Sequence, residues 1–197
     1  MPSQSALKRT NIIVLAKNHN PTIVSKEWLF AKQVITEEVK QFASTPVFSM
    51  VETAELVLTV DQNRLMIAPK VISDGLISRL PEVVKRYVDQ LPETPYNAVG
   101  FNFHYDLPHF EWDNLFTPKE RFMALFPAET PNLGAIAKYH VDDFTVTLTI
   151  SPDAGNQTVD FNFNRSSSES QVITEALEHY ADALAETARV MGGLEHR

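Results

Sequence analysis

The 197-residue chain predicts an α+β fold. A largely antiparallel β-sheet carries two longer helices and one or two short ones on one face, with a hint of a duplicated unit. Three observations predict it. Short runs of alternating apolar and polar residues recur with turn formers between them. Two longer stretches, near 75–91 and 168–191, carry apolar residues at helical spacing. The sequence Val-x-Phe-Asn-Phe occurs twice, at 99–103 and 159–163.

Residues 1–10 read as a flexible arm, followed by one α+β domain over 11–193. Asn11 to Ala16 (NIIVLA) is a β-type run, broken by Asn18-His19-Asn20-Pro21. A short helix follows, with Ser25 as its cap. Strands are expected at 45–50 (TPVFSM), 55–60 (ELVLTV) and 64–69 (RLMIAP), the last two joined by a reversal at 61–64. Helical periodicity follows Gly75. Pro81 suits a first turn, and Val84, Tyr87, Val88 and Leu91 form the apolar stripe before Pro92 ends it.

Tyr96 to Tyr105 is the clearest strand. Residues 106–116 read as an irregular connection, and Thr117-Pro118-Lys119-Glu120 as a capping box opening a short helix to Phe126. Three strands follow, at 135–141, 144–150 and 158–163. Asp142-Asp143 reverses the chain, and residues 151–157 form a turn-rich loop. A long helix capped by Ser168 and Gln171 is expected to run until Gly192-Gly193. A duplication suggested by the repeated Val-x-Phe-Asn-Phe divides the chain into halves 11–105 and 117–193.

Composition narrows the function. The net charge of −8 repels phosphate backbones, and Lys8-Arg9 and Lys85-Arg86 are isolated basic pairs, so nucleic acid is not an expected partner. Cysteine is absent, which removes disulfides, thiolate catalysis and thiolate metal sites. That fits a cytoplasmic protein. The first residues lack the apolar core of a secretory signal, and apolar runs of four or five residues do not span a bilayer. The final LEHR carries no signal that tells native residues from added ones.

Candidate functional residues cluster on two strands and one loop. On the first Val-x-Phe-Asn-Phe strand, Phe101, Phe103 and Tyr105 share one face, and Asn102, His104 and Asp106 the other. On the second, Asp160, Asn162 and Asn164 alternate with Phe161 and Phe163. Were these strands neighbours, one surface would gather amides, carboxylates and an imidazole. It could be a solvated face, a recognition surface, or a site with His104 and Asp106 as an oriented base. The run Asp160–Arg165 imitates the start of a calcium loop. It lacks glycine at the sixth position, where Arg165 stands, and glutamate at the twelfth, where Gln171 stands.

His104, His109, Glu111 and Asp113 are metal-capable, but no recognised zinc spacing connects them. Phe110, Trp112 and Phe116 lie near Phe122 and Phe126, as an extra core flap or a contact surface. Phosphate-loop, dinucleotide-binding and Gly-x-Ser-x-Gly motifs are absent, and no cofactor is expected. The reading is a non-enzymatic interaction or assembly protein that associates with itself or another protein through an aromatic-rich surface. The alternative is a small-molecule-binding domain or weakly motif-coded enzyme using the Asn102, His104 and Asp106 face.

Overall fold

The computed structural model describes residues 5–108, 110, 124, 133–153 and 156–195. Among these, nine strands form one sheet in which every neighbouring pair is antiparallel. They are β1 (Ala6–Ala16), β2 (Gln41–Thr45), β3 (Phe48–Glu52), β4 (Leu56–Asp61), β5 (Arg64–Pro69), β6 (Tyr96–Leu107), β7 (Ala135–Val141), β8 (Phe144–Asp153) and β9 (Asn156–Ser166). The spatial order is β2-β3-β4-β5-β1-β6-β9-β8-β7. The helices are α1 (Lys26–Ala31), α2 (Asp74–Asp89), α3 (Ser170–Glu178) and α4 (Tyr180–Glu195), with a 3-10 turn at Pro21–Ile23. None is long and apolar enough to cross a membrane.

The helices lie on one face, α1 through Trp28 against Tyr87 of α2 at 5.7 Å. α2 packs on β5 and β1, α3 on α2 and β6, and α4 on β6. Beneath them the inward positions of β1, β6 and β9 supply Ile12, Val14, Phe101, Phe103, Phe161 and Phe163, all essentially solvent-free. The Tyr180 ring sits 5.1 Å from Phe101 and 5.4 Å from Phe103, while Phe103 meets Phe163 edge-on at 5.9 Å. Each buried phenylalanine contributes about 1.5–3 kcal/mol, with edge-to-face contacts adding to it. Two buried hydroxyl pairs tie α4 to the sheet: Thr10 with Tyr180 at 2.7 Å and Tyr105 with Thr187 at 2.6 Å. Thr187 gives its own proton to the Leu184 carbonyl, so Tyr105 is the donor in the second pair.

α1 has its expected cap, Ser25 Oγ accepting from the Trp28 amide at 3.1 Å. The two-residue reversal at Asp142-Asp143 is present, with Asp142 at φ 47° as a primed hairpin turn needs.

Several boundaries differ from expectation, each for a physical reason. Residues 6–10, assigned to an arm, belong to β1, because their partners lie 90 or more residues away on β6. The run 45–50 is not one strand. Pro46-Val47 turns the chain between β2 and β3, and β2 escapes notice because it is a mostly exposed, polar edge. α2 starts at Asp74, so Pro81 lies inside the helix. The burial of Ile77, one turn upstream, and of Leu80, the residue before it, offsets the ~3 kcal/mol that an interior proline costs.

β8 and β9 extend through most of the predicted 151–157 loop, pairing Ser151 with Thr158 and Asp153 with Asn156. The last helix is two helices, interrupted at His179. Its first turn is not a capping box. Glu169 occupies the cap position without a side-chain bond, Ser167 Oγ accepts from the Glu169 amide, and Gln171 reaches forward to Glu175. Gly192-Gly193 does not end α4, since Leu194 packs into the core one residue later. The helix predicted at 117–126 lies, apart from Ala124, outside the described residues.

The strand order repeats across the β1–β6 seam. β1 is followed by a meander whose last strand, β5, returns beside it; β6 is followed by a meander whose last strand, β9, returns beside it. That seam falls in the 90–95 connection, so halves drawn at 11–105 and 117–193 would cut β6 away from its own meander. The two Val-x-Phe-Asn-Phe segments are antiparallel partners, Asn102 opposite Asn162, not equivalent places in two repeats.

Two pH predictions follow from the burial. His19 is 3% exposed, with Nε2 bonded to the Val14 carbonyl at 3.2 Å. Burial lowers its pKa below the ordinary 6.5, against upward pulls from the Val14 carbonyl and Asp61. The unfolded chain therefore takes up this proton first as pH falls. Unfolding free energy measured in urea should be level above about pH 7 and decline from pH 6.5 downward, and His19→Gln should remove that slope. A separate decline below 4.5 should persist in the variant, because the upward push of burial on Glu37 is overcome by Arg79 together with the backbone amides of Glu37 and Thr36, which hold it below that value.

All five tyrosines are shifted upward by burial: Tyr96 and Tyr180 to about 12, with Tyr87, Tyr105 and Tyr139 in the same direction. Their protonated forms favour the folded state, so stability is full below pH 10 and is lost above it. Phenolate absorbance should stay low at pH 10 and rise together with loss of the circular dichroism of the fold. Phenolate formation at pH 10 with the fold intact would contradict the packing described.

Candidate functional site

Because Phe101, Phe103, Phe161 and Phe163 point to the helices, the residues between them emerge on the opposite face, which no described helix covers. β6 and β9 are direct neighbours, with Gly100 opposite Asn164, Asn102 opposite Asn162 and His104 opposite Asp160. The six polar residues predicted on these strands thus share one surface: Asn102, His104, Asp106, Asp160, Asn162 and Asn164.

The centre of this surface is a chain of amides across three strands. Asn162 Nδ2 donates to Asn102 Oδ1 at 2.7 Å, and Asn102 Nδ2 donates to Asn11 Oδ1 at 2.8 Å. One row along, His104 Nδ1 lies 2.7 Å from Asp160 Oδ1. In the neutral ring that contact places the proton on Nδ1 and leaves Nε2 as an acceptor. Arg9 stands opposite His104 in register on β1. Asp106 pairs with Lys8 at 3.2 Å, both about half exposed. On β8, Thr147 and Thr149 stand opposite Asn162 and Asp160 and continue the polar rows outward.

Gly100 leaves a side-chain-free position next to the amide chain. A Cβ there would stand 3.3 Å from the Phe163 carbonyl oxygen and 3.9 Å from Asn162 Nδ2. Across the seam the open face changes character. Met50, Thr59, Met66 and Ile13 form one in-register row over β3, β4, β5 and β1, with Val57 and Ala68 in the next. All six are half-buried side chains.

The chemistry available follows from this geometry. His104 is an imidazole oriented by a carboxylate, the arrangement of a positioned base. Among the described residues no hydroxyl is hydrogen-bonded to it, and it stands on a sheet face. Two concavities lie elsewhere. One, of about 280 Å³, is lined by Val88, Asp89, Pro92, Ser170, Gln171 and Thr174. The other, of about 190 Å³, runs along α2 and is walled by Glu37, Arg79, Glu82 and Arg86. In the second, Arg79 is engaged by Glu37 and Glu55, and Arg86 by Glu82 and the Gln33 carbonyl. None of the six strand-face residues lines either concavity.

Among the described residues no three His, Asp or Glu side chains come together as a metal site. His109, Glu111 and Asp113, offered as metal-capable with His104, lie outside the described residues, as do the aromatic candidates Trp112 and Phe116. Phe110 is described and packs partly buried against the core. That placement accords with a core flap and takes Phe110 out of an exposed aromatic surface.

Sequence reasoning missed Lys8, Arg9 and Asn11. The alternation of Arg9 and Asn11 with Thr10 and Ile12 is the only local signal, Lys8 standing in the register shift between Leu7 and Arg9, and it gains meaning once β1 is placed beside β6. No protein-family model matches the chain, and no curated protein matches it in sequence.

Asn102 is the middle of the amide chain, both donating and accepting. Asn102→Leu should lower unfolding free energy in urea by about 0.5–1.5 kcal/mol. Asn162→Ala should cost less, because Asn162 is exposed and water replaces its bond. Equal costs for the two would mean the chain does not act as a unit.

Proposed function

We propose that this chain is a non-enzymatic interaction protein, cytoplasmic, whose working surface is the uncovered face of the sheet. Its partner is another protein or a second copy. One observation carries the reading. On an antiparallel sheet with one wet face, the outward positions are ordinarily polar. Here β3, β4, β5 and β1 turn Met50, Val57, Met66, Ala68 and Ile13 outward as a contiguous apolar patch. Such patches mark contact surfaces. The polar rows beside it add hydrogen-bonding groups that give such a contact direction. The aromatic residues between 110 and 126 are not needed for this reading.

A second reading is favoured by the His104–Asp160 pair, an oriented imidazole available to a small ligand or to a proton-transfer step. It is weaker, because the imidazole stands on a sheet face and lines neither of the two concavities above.

Native mass spectrometry of untagged protein purified from its own host tests the choice. We expect the chain in complex with protein, the complex lost in Thr59→Arg and retained in Lys85→Glu on the helical side. A bare monomer, or a complex indifferent to Thr59→Arg, would overturn the proposal. A retained small-molecule mass lost in His104→Ala would establish the second reading instead.

A further inference from the structure

Resting on that reading, we infer that a bulge in β1 at Lys8-Arg9 and the His104 imidazole form an anchor on the open face for one carboxylate of the protein partner, an aspartate or glutamate side chain. Three observations carry this.

The first is the bulge. Leu7 stands opposite Tyr105 and Thr10 opposite Phe103, so both turn towards the helices. A regular strand fits one residue between two that share a face. Here there are two, Lys8 and Arg9, while the facing stretch of β6 supplies only His104. Lys8 reaches Asp106 on the open face, and Arg9 stands opposite His104. The extra residue thus gathers two basic side chains beside one imidazole. Bulges re-aim side chains in this way, and they recur beside functional sites.

The second is the state of Arg9. Among the described residues Arg64, Arg79, Arg86, Arg165 and Arg189 are all ion-paired, whereas the exposed Arg9 has no carboxylate. That is out of keeping with a chain of net charge −8. The carboxylates beside it are taken, Asp106 by Lys8 and Asp160 by His104. The guanidinium fork is left open, and its shape takes a carboxylate through two parallel bonds.

The third is the count of donors and charges. The His104 side chain is 17% exposed and held by Asp160 at 2.7 Å. With Nδ1–H given to Asp160, a proton on Nε2 makes the distal nitrogen a donor as well. The charged groups around the ring are Lys8 and Arg9 from β1, Asp160 from β9 and Asp106 from its own strand. Three positive charges, His104 included, then stand against two negative. The excess of one matches a carboxylate. A phosphate dianion would set a second, unbalanced charge against Asp106 and Asp160.

The row also says what must carry the carboxylate. An exposed ion pair alone adds little, and neither concavity above reaches these residues. Ile13, at the border of the apolar patch, lies four residues along β1 from Arg9, a distance of about 13 Å. One partner surface covers both, with its apolar side chains on the patch and its carboxylate on Arg9.

Replacing chloride by acetate at constant ionic strength, followed by NMR at the arginine Nε–H signals of the full chain, reads the anchor directly. The Arg9 signal should move along a saturating curve, and that of Arg64, already paired with Asp61, should not. The half-saturating acetate concentration should fall as pH is lowered from 8 to 6, because the bound ring holds the extra proton. In His104→Gln it should not change with pH. Equal movement of Arg9 and Arg64, no saturation at Arg9, or a stronger response to phosphate than to acetate would overturn the inference.

The complex recovered from the host tests the partner. Arg9→Gln, at an exposed position, should lower its recovery at least tenfold, the effect of losing a charged hydrogen bond, and Lys85→Glu should not. If acetate binds at Arg9 but Arg9→Gln leaves the complex intact, the row takes a free small carboxylate and the partner anchor fails. If Thr59→Arg strips the partner while Arg9→Gln does not, the inference fails and the interaction-face reading stands. If neither substitution moves the complex, both fail.

Discussion

The phase of alternation on β6 and β9 governs everything else in the molecule. Phe101, Phe103, Phe161 and Phe163 point to the helices, and the residues between them have no choice but the other face. A slip of one residue in either strand would bury its Asn and Asp and expose its two phenylalanines, at about 1.5–3 kcal/mol lost for each. Register is therefore strongly specified at the centre of the sheet. The amide chain and the His104–Asp160 pair inherit their geometry from that register, because each needs two strands held opposite one another.

The helical layer adds a second constraint. α4 is fixed to β1 and β6 by two hydroxyl pairs, Thr10 with Tyr180 and Tyr105 with Thr187. In a dry interior such bonds define position more sharply than apolar contact does, since leaving either partner unpaired costs about 1–3 kcal/mol. α2 is held by the apolar stripe from Ile77 to Val88 and by Arg79, which reaches Glu37 and Glu55 on two separate connections. All of this fastening is on one side. The described chain thus invests its helices in a single face and leaves the other face as sheet.

That asymmetry supports a binding role more readily than a catalytic one. Catalysis needs reacting groups to converge in a space from which water is excluded. The rows on the open face spread sideways across strands instead of converging. A face with half-buried apolar side chains beside rows of hydrogen-bonding groups suits a second surface. The His104–Asp160 pair is then a well-formed polar contact within that surface.

The sequence by itself determined the class of fold, the meander strands other than β2, the tight reversals at 61–64 and 142–143, and the sidedness of the two Val-x-Phe-Asn-Phe strands. These are local: a period of two, a turn pair or a cap is written within a few residues. Only the tertiary structure decided that β6 and β9 are partners, that Asp160 and not Asp106 orients His104, and that Lys8, Arg9 and Asn11 belong to the same surface. It also decided that Pro81 lies within a helix and that Gly192-Gly193 does not end one, because buried side chains on either side outweigh local preference. The reason is common to all of these. Hydrogen-bond register between strands 60 or 90 residues apart is set by which apolar faces pack together across the whole sheet, and no short window of sequence contains that sum.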